Sequence, residues 1–117
     1  MSTAALHRVE VMHGVNLDQL HRRPATHYGP LSLPELERVI EGHAEELGLQ
    51  VRFFQTNAEH EFIEHLHRLE GMADAVLMNP GAWTHTSRAI RDALEIAALP
   101  TMKHIAVTGI RRRSPPR

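Results

Sequence analysis

The chain contains no cysteine. That excludes a disulfide framework, a thiolate zinc site and a cysteine nucleophile, and it is compatible with a reducing cytosol. Aromatic residues are only 4% of the chain, with one Trp and one Tyr, so an aromatic outside an apolar stripe is worth inspecting. Charge of one sign is not in excess. The formal net charge is −1, which argues against nucleic acid or an anionic membrane as the main partner. The short run Arg111-Arg112-Arg113 has no aromatic platform beside it for stacking bases. No apolar run approaches the roughly 20 residues of a membrane span, and the N-terminus lacks the basic-then-apolar layout of a secretion signal. The expected location is the cytoplasm. Neither G-x-G-x-x-G nor a Walker loop occurs, which removes the usual phosphate cradles.

What is present reads as one soluble domain: 117 residues, 42% hydrophobic and 23% charged. Short β-type runs alternate with helical periods. Val9 to Met12 is a strand, followed by a polar, basic segment from Val15 to Pro30 with no sustained period. Long connections of that kind in compact domains are usually functional. Ser32 caps a helix with Pro34 in its first turn; Leu33, Leu36, Val39, Ile40, Ala44 and Leu47 form its apolar stripe, and Gly48 ends it. Val51 to Gln55 is a second strand. Phe62, Ile63, Leu66 and Leu69 stripe a second helix, for which Asn57 is a candidate cap. Ala75 to Met78 is a third strand, apolar throughout as a strand buried on both faces should be. A third helix runs roughly from Ser87 to Ala97, and Met102 to Val107 is a fourth strand.

Strands alternating with helices predict a parallel sheet covered by helices, an α/β fold, and right-handed crossovers favour a doubly wound, three-layer α/β/α sheet. Ligands then bind beyond the carboxyl ends of the strands, where the winding reverses. In flavodoxin-like order that point lies between the first and third strands, so the site should be built from the loops after Met12 and after Met78. These loops hold Asn16, Arg23, Tyr28, Asn79, Trp83 and His85. A tyrosine has an unperturbed pKa of about 10, and a nearby guanidinium favours its phenolate; Arg23 and Tyr28 are close enough in sequence to meet. The plainer alternative is a tyrosine packed at a loop base beside a solvated arginine. Asn16 and Asn79 can donate and accept, which suits hydroxyl or enolate oxygens; turn chemistry is the alternative. His85 stands at a helix start, where it could meet a ligand hydroxyl or serve only as a surface residue near the cap.

The string Met12-His13-Gly14-Val15-Asn16-Leu17, followed by Arg23 and Tyr28-Gly29, resembles the first-loop motif of type II 3-dehydroquinate dehydratases. Phe53-Phe54-Gln55-Thr56-Asn57 resembles the second-strand segment of that family. Asn79-Pro80-Gly81-Ala82-Trp83-Thr84-His85-Thr86-Ser87, continued by Ala89-Ile90-Arg91-Asp92-Ala93-Leu94, resembles its most distinctive stretch. The likeness covers about residues 7 to 100. It implies dehydration of 3-dehydroquinate to 3-dehydroshikimate through an enolate, in the shikimate pathway or in quinate catabolism, with no cofactor and no metal. Tyr28 would be the base, Arg23 would lower its pKa and stabilise the enolate-like transition state, and Asn16 would hold the enolate oxygen through a water. Asn79 and His85 would bind the ring hydroxyls of the substrate. Asp92 would reach the site of a neighbouring subunit, implying a homo-oligomer.

The likeness weakens after Pro100. The family shows Glu-x-His-[Leu/Ile]-Ser-[Asn/Asp], whose His is the general acid; here Lys103 and Ile105 fall on the Glu and His positions, and His104 is one residue early. A one-residue slip turns a strand side chain to the opposite face, so His104 is a displaced candidate for the acid. A further strand and terminal helix of the family have no counterpart, and residues 109–117 read as a basic, proline-rich, disordered tail after a domain spanning 1–108. The fourth strand would then be an exposed apolar edge. A catalytically impaired homologue, binding quinate-like acids or only assembling with active subunits, is therefore the competing expectation. His60 to His67 lacks the H-E-x-x-H spacing of a zinc helix and reads as a solvated polar face.

Overall fold

The computed structural model describes residues 7–22 and 31–103. The elements follow in the order β1 (Arg8–His13), a kinked 3-10 segment (Leu17–Arg22), α1 (Leu33–Leu47), β2 (Gln50–Gln55), α2 (Glu59–His67), β3 (Ala75–Asn79), a short α3 (Trp83–Thr86), α4 (Arg88–Ala97) and β4 (Thr101–Lys103). The sheet is parallel, in the order β2-β1-β3-β4. β1 is its centre, with Val11 opposite Phe53 on one side and Leu77 on the other. This is the expected α/β, flavodoxin-like winding. The expected bounds of the domain and its tail fall outside the described residues.

Local chemistry explains the helix ends. Ser32 and Glu35 form a reciprocal capping box: each side chain takes the backbone N–H of the other residue. Gly48 closes α1 at φ 74, where its N–H reaches the carbonyls of Ala44 and Glu45. The cap of α2 is not Asn57. Thr56 takes the Ala58 N–H at 3.0 Å and donates to Glu61 at 2.5 Å. Ser87 caps α4 by accepting from the Ile90 N–H, so His85 lies inside α3 and not at the start of the long helix. Leu17–Arg22, within the segment that lacks a sustained period, forms the 3-10 turn because Leu17 and Leu20 bury against Leu33 and Leu36.

The main core lies between the sheet and α2 with α4. Met12, Phe62, Leu66, Leu69, Val76, Met78, Ile90 and Ala93 are buried there; full burial of a side chain such as Phe62 contributes roughly 1.5–3 kcal/mol. The α1 face is thinner. Val39 and Leu47 of the expected stripe are 45% and 72% exposed, and Leu77 is only half-buried, so β3 is not sealed equally on both sides. Met102 on β4 is exposed, as expected of an edge, while the remainder of the expected fourth strand lies outside the described residues.

Two polar arrangements cross the layers. Glu10, buried in β1, accepts from Arg52 Nε and Nη2 at 3.0 and 2.8 Å, and its other oxygen lies 2.6 Å from His65 Nε2. His65 stacks on Phe54 at 3.8 Å. His65 therefore serves the core and does not lie on the solvated face expected for His60 to His67. Asp74 accepts from the Arg8 side chain and from the backbone N–H groups of Arg8 and His7. Hydrogen bonds from the Arg8 side chain and then its backbone hold the Asp74 carboxyl well below the usual carboxylate range.

Two outcomes follow from these pairs. Arg52→Met leaves a buried carboxylate with only the His65 contact among the described residues and should cost about 1–3 kcal/mol. Glu10→Leu leaves behind an arginine whose side chain is 52% exposed and able to re-solvate, so it should cost less; urea denaturation giving the reverse ranking would overturn the role assigned to the triple. For Asp74, the depressed folded-state pKa means its contribution is complete above the unfolded pKa of about 3.9 and is lost as pH falls below it. Asp74→Asn should flatten the dependence of stability on pH below about 4, measured by thermal melts; an unchanged slope would assign acid sensitivity elsewhere.

Candidate active site

At the carboxyl ends of β1 and β3 the two following loops touch through their backbones. The Gly14 N–H donates to the Asn79 carbonyl at 2.8 Å. A methyl group at Gly14 would stand 2.4 Å from the Pro80 oxygen, and one at Gly81 would stand 2.7 Å from the Val15 oxygen. Gly81 also has φ 67, a conformation that favours glycine. Asn79 is 7% exposed, and its side-chain oxygen accepts from the Gly81 N–H at 3.0 Å. Its amide nitrogen has no partner among the described residues.

The end of β2 supplies a third wall. Asn16 sits in the left-handed region at φ 69, a conformation costing an ordinary residue roughly 1–2 kcal/mol and tolerated by Asn. Its N–H donates to Asn57 Oδ1 at 2.7 Å. Gln55 Nε2 donates both to the Gly14 carbonyl and to Asn57 Oδ1, each at 3.2 Å. Asn57 Nδ2 faces the Asp18 carboxylate at 3.4 and 3.5 Å. Sequence periodicity suggested Asn57 only as a helix cap; the contact with Asn16 spans |i−j| = 41 and had no local signal.

Neighbouring groups set the local electrostatics. His13, buried at the tip of β1, has Nε2 3.1 Å from Glu37 on α1 and lies parallel to Phe53. Burial pushes the Glu37 carboxyl up, and the nearby Glu41 adds to the effect. Trp83 packs edge-on against Phe62 at 5.4 Å, which anchors α3 to the core. Ser87 donates to Glu59, tying the start of α4 to α2. His85 and Asp92 are exposed on α3 and α4. Lys103 lines a small crevice with Met78, Thr84 and Arg91. Asn16 and Asn79 thus stand on loops that meet; His85 follows on the same connection, and Asp92 lies further along. Arg23, Tyr28 and His104 lie outside the described residues.

The dehydroquinase class II family model matches residues 7–117. This chain belongs to that family. The match runs past residue 100, where the motif likeness weakens. The chain is 40% identical over 96 residues to the 3-dehydroquinate dehydratase of Sulfurovum sp., an alignment covering 82% of this chain and 59% of that relative. The chain therefore spans about three fifths of that relative's length. Among solved structures, the type II dehydroquinase of Butyrivibrio crossotus superposes with a TM-score of 0.78 at 28% identity, over 89% of this chain and 82% of that one. The type II dehydroquinase of Propionibacterium acnes gives 0.77 at 31% identity, over 87% of this chain and 70% of that one. The class II dehydroquinase fold is thus shared.

The loop contact makes a direct prediction. Gly14→Ala and Gly81→Ala should each cost about 1–3 kcal/mol through overpacking against backbone. Gly42→Ala, with nothing within 4 Å of the added carbon in α1, should instead stabilise by about 0.5–1 kcal/mol. Chemical denaturation of the three variants checks this; equal effects at the three sites would remove the close approach as the cause.

Proposed function

We propose that the protein dehydrates 3-dehydroquinate to 3-dehydroshikimate. In this reading Tyr28, made acidic by Arg23, takes a proton from the carbon next to the ketone. The electron pair moves into an enolate held through a water by Asn16. Reformation of the carbonyl breaks the carbon–hydroxyl bond and leaves a double bond conjugated to it. The departing hydroxyl takes a proton from a general acid, for which His104 is the displaced candidate, and leaves as water, while Tyr28 returns its own proton to solvent. Asn79 and His85 orient the ring hydroxyls. The observation that supports it is the seam between the loops that carry Asn16 and Asn79, tied by the Gly14 N–H to the Asn79 carbonyl, in a chain with this family's motifs. Such a site gains rate from positioning and fixed dipoles, and needs no bound cofactor in this scheme. Asp92, exposed on α4 and without an ion pair among the described residues, is proposed to reach the site of a second copy in a homo-oligomer.

A second reading has its own observation. Lys103, on the position of the family's glutamate, lies in the same crevice as Arg91, so a cation stands where the family places a carboxylate. Without that carboxylate, and with His104 one residue early as the acid, expulsion of the hydroxyl would slow and leave a homologue that binds quinate-like acids.

An absorbance assay for the conjugated enone separates the two. Turnover of 3-dehydroquinate is expected, with Tyr28→Phe lowering kcat at least about 100-fold, the scale of lost general-base catalysis, while the melting temperature is retained. A folded protein that binds a quinate-like acid without producing enone would instead establish the impaired reading. Full activity in Tyr28→Phe would defeat the assignment of the base.

A further inference from the structure

We propose that Asn57 is a positioning residue that holds Asn16 in its working conformation. It does not contact the seam itself, yet its carbonyl oxygen receives the backbone N–H of Asn16, which is held at positive φ. The orientation of the Asn57 amide is settled by its neighbours. Two donors, the Asn16 N–H and Gln55 Nε2, meet the oxygen, and the Asp18 carboxylate faces the nitrogen. Gln55 extends the same chain of bonds to the Gly14 carbonyl, on the strand side of Asn16. Gln19 donates its N–H to the Asn16 carbonyl at 3.0 Å. Asn16 is therefore gripped at both peptide groups, once from its own loop and once from the end of β2. Removing the β2 grip frees the peptide before Asn16 and lets its side chain wander from the site.

The role in turnover rests on the activity proposed above; the grip itself does not. Two readouts keep them apart. Asn57 is exposed, so Asn57→Ala should fold, which a thermal melt checks. Hydrogen exchange at the Asn16 amide should quicken about tenfold, the scale of one lost hydrogen bond. With 3-dehydroquinate, kcat should fall about tenfold or more and KM should change less, because Asn16 serves the enolate. The double variant Asn57→Asp with Asp18→Asn keeps the acceptor for Asn16 and one donor between the pair, and should restore both readouts to within about threefold. Unchanged exchange in Asn57→Ala overturns the grip. Quickened exchange with unchanged kcat overturns the role in turnover. If the unaltered protein makes no enone, the activity reading falls and exchange alone decides the grip.

Discussion

The structure depends on one close approach: the loop after β1 and the loop after β3 meet backbone to backbone. Two glycines make it possible, Gly14 against Pro80 and Gly81 against Val15, and one N–H from Gly14 to Asn79 ties it. Parallel pairing of β1 with β3 in register, Met12 beside Met78 and His13 beside Asn79, brings the two chains to the same height before they turn. A side chain at either glycine would meet the facing backbone and part the loops. The seam is thus a consequence of strand register and of the absence of Cβ atoms at two positions.

Around the seam, much of the recognisable motif turns out to be framework. Thr56 closes the start of α2, Asn57 grips the Asn16 peptide, Trp83 anchors α3 on Phe62, and Ser87 both caps α4 and reaches Glu59. These polar and aromatic groups hold three separate elements at fixed distances from the crevice. Beneath them, the buried Glu10 carboxylate meets His65 and the half-exposed Arg52, bridging strands and helix. A buried carboxylate is costly to leave without its partners.

How far the sequence could be read depended on the range of each interaction. The Ser32 to Gly48 helix was legible because its capping box and its left-handed closure are local. The parallel winding, with β1 and β3 adjacent, followed from element order alone. Asn57 was misread as a cap because its true partner, Asn16, lies across two strands. His65 was misread as surface because period alone shows which helix face it occupies, not that a glutamate from β1 comes to meet it. The α1 stripe promised more burial than Val39 and Leu47 show, since a stripe states what a helix could cover and not what lies opposite.

By itself, the sequence determined the class of fold and the family. Those follow from periodicity, turn residues and motif order, all encoded within short stretches of chain. Only the tertiary structure decided which of the described motif residues hold the framework. Hydrogen bonds and close packing select partners by distance in space, and Asn57, Arg52 and Asn79, which meet Asn16, Glu10 and Gly14, all come from distant parts of the chain.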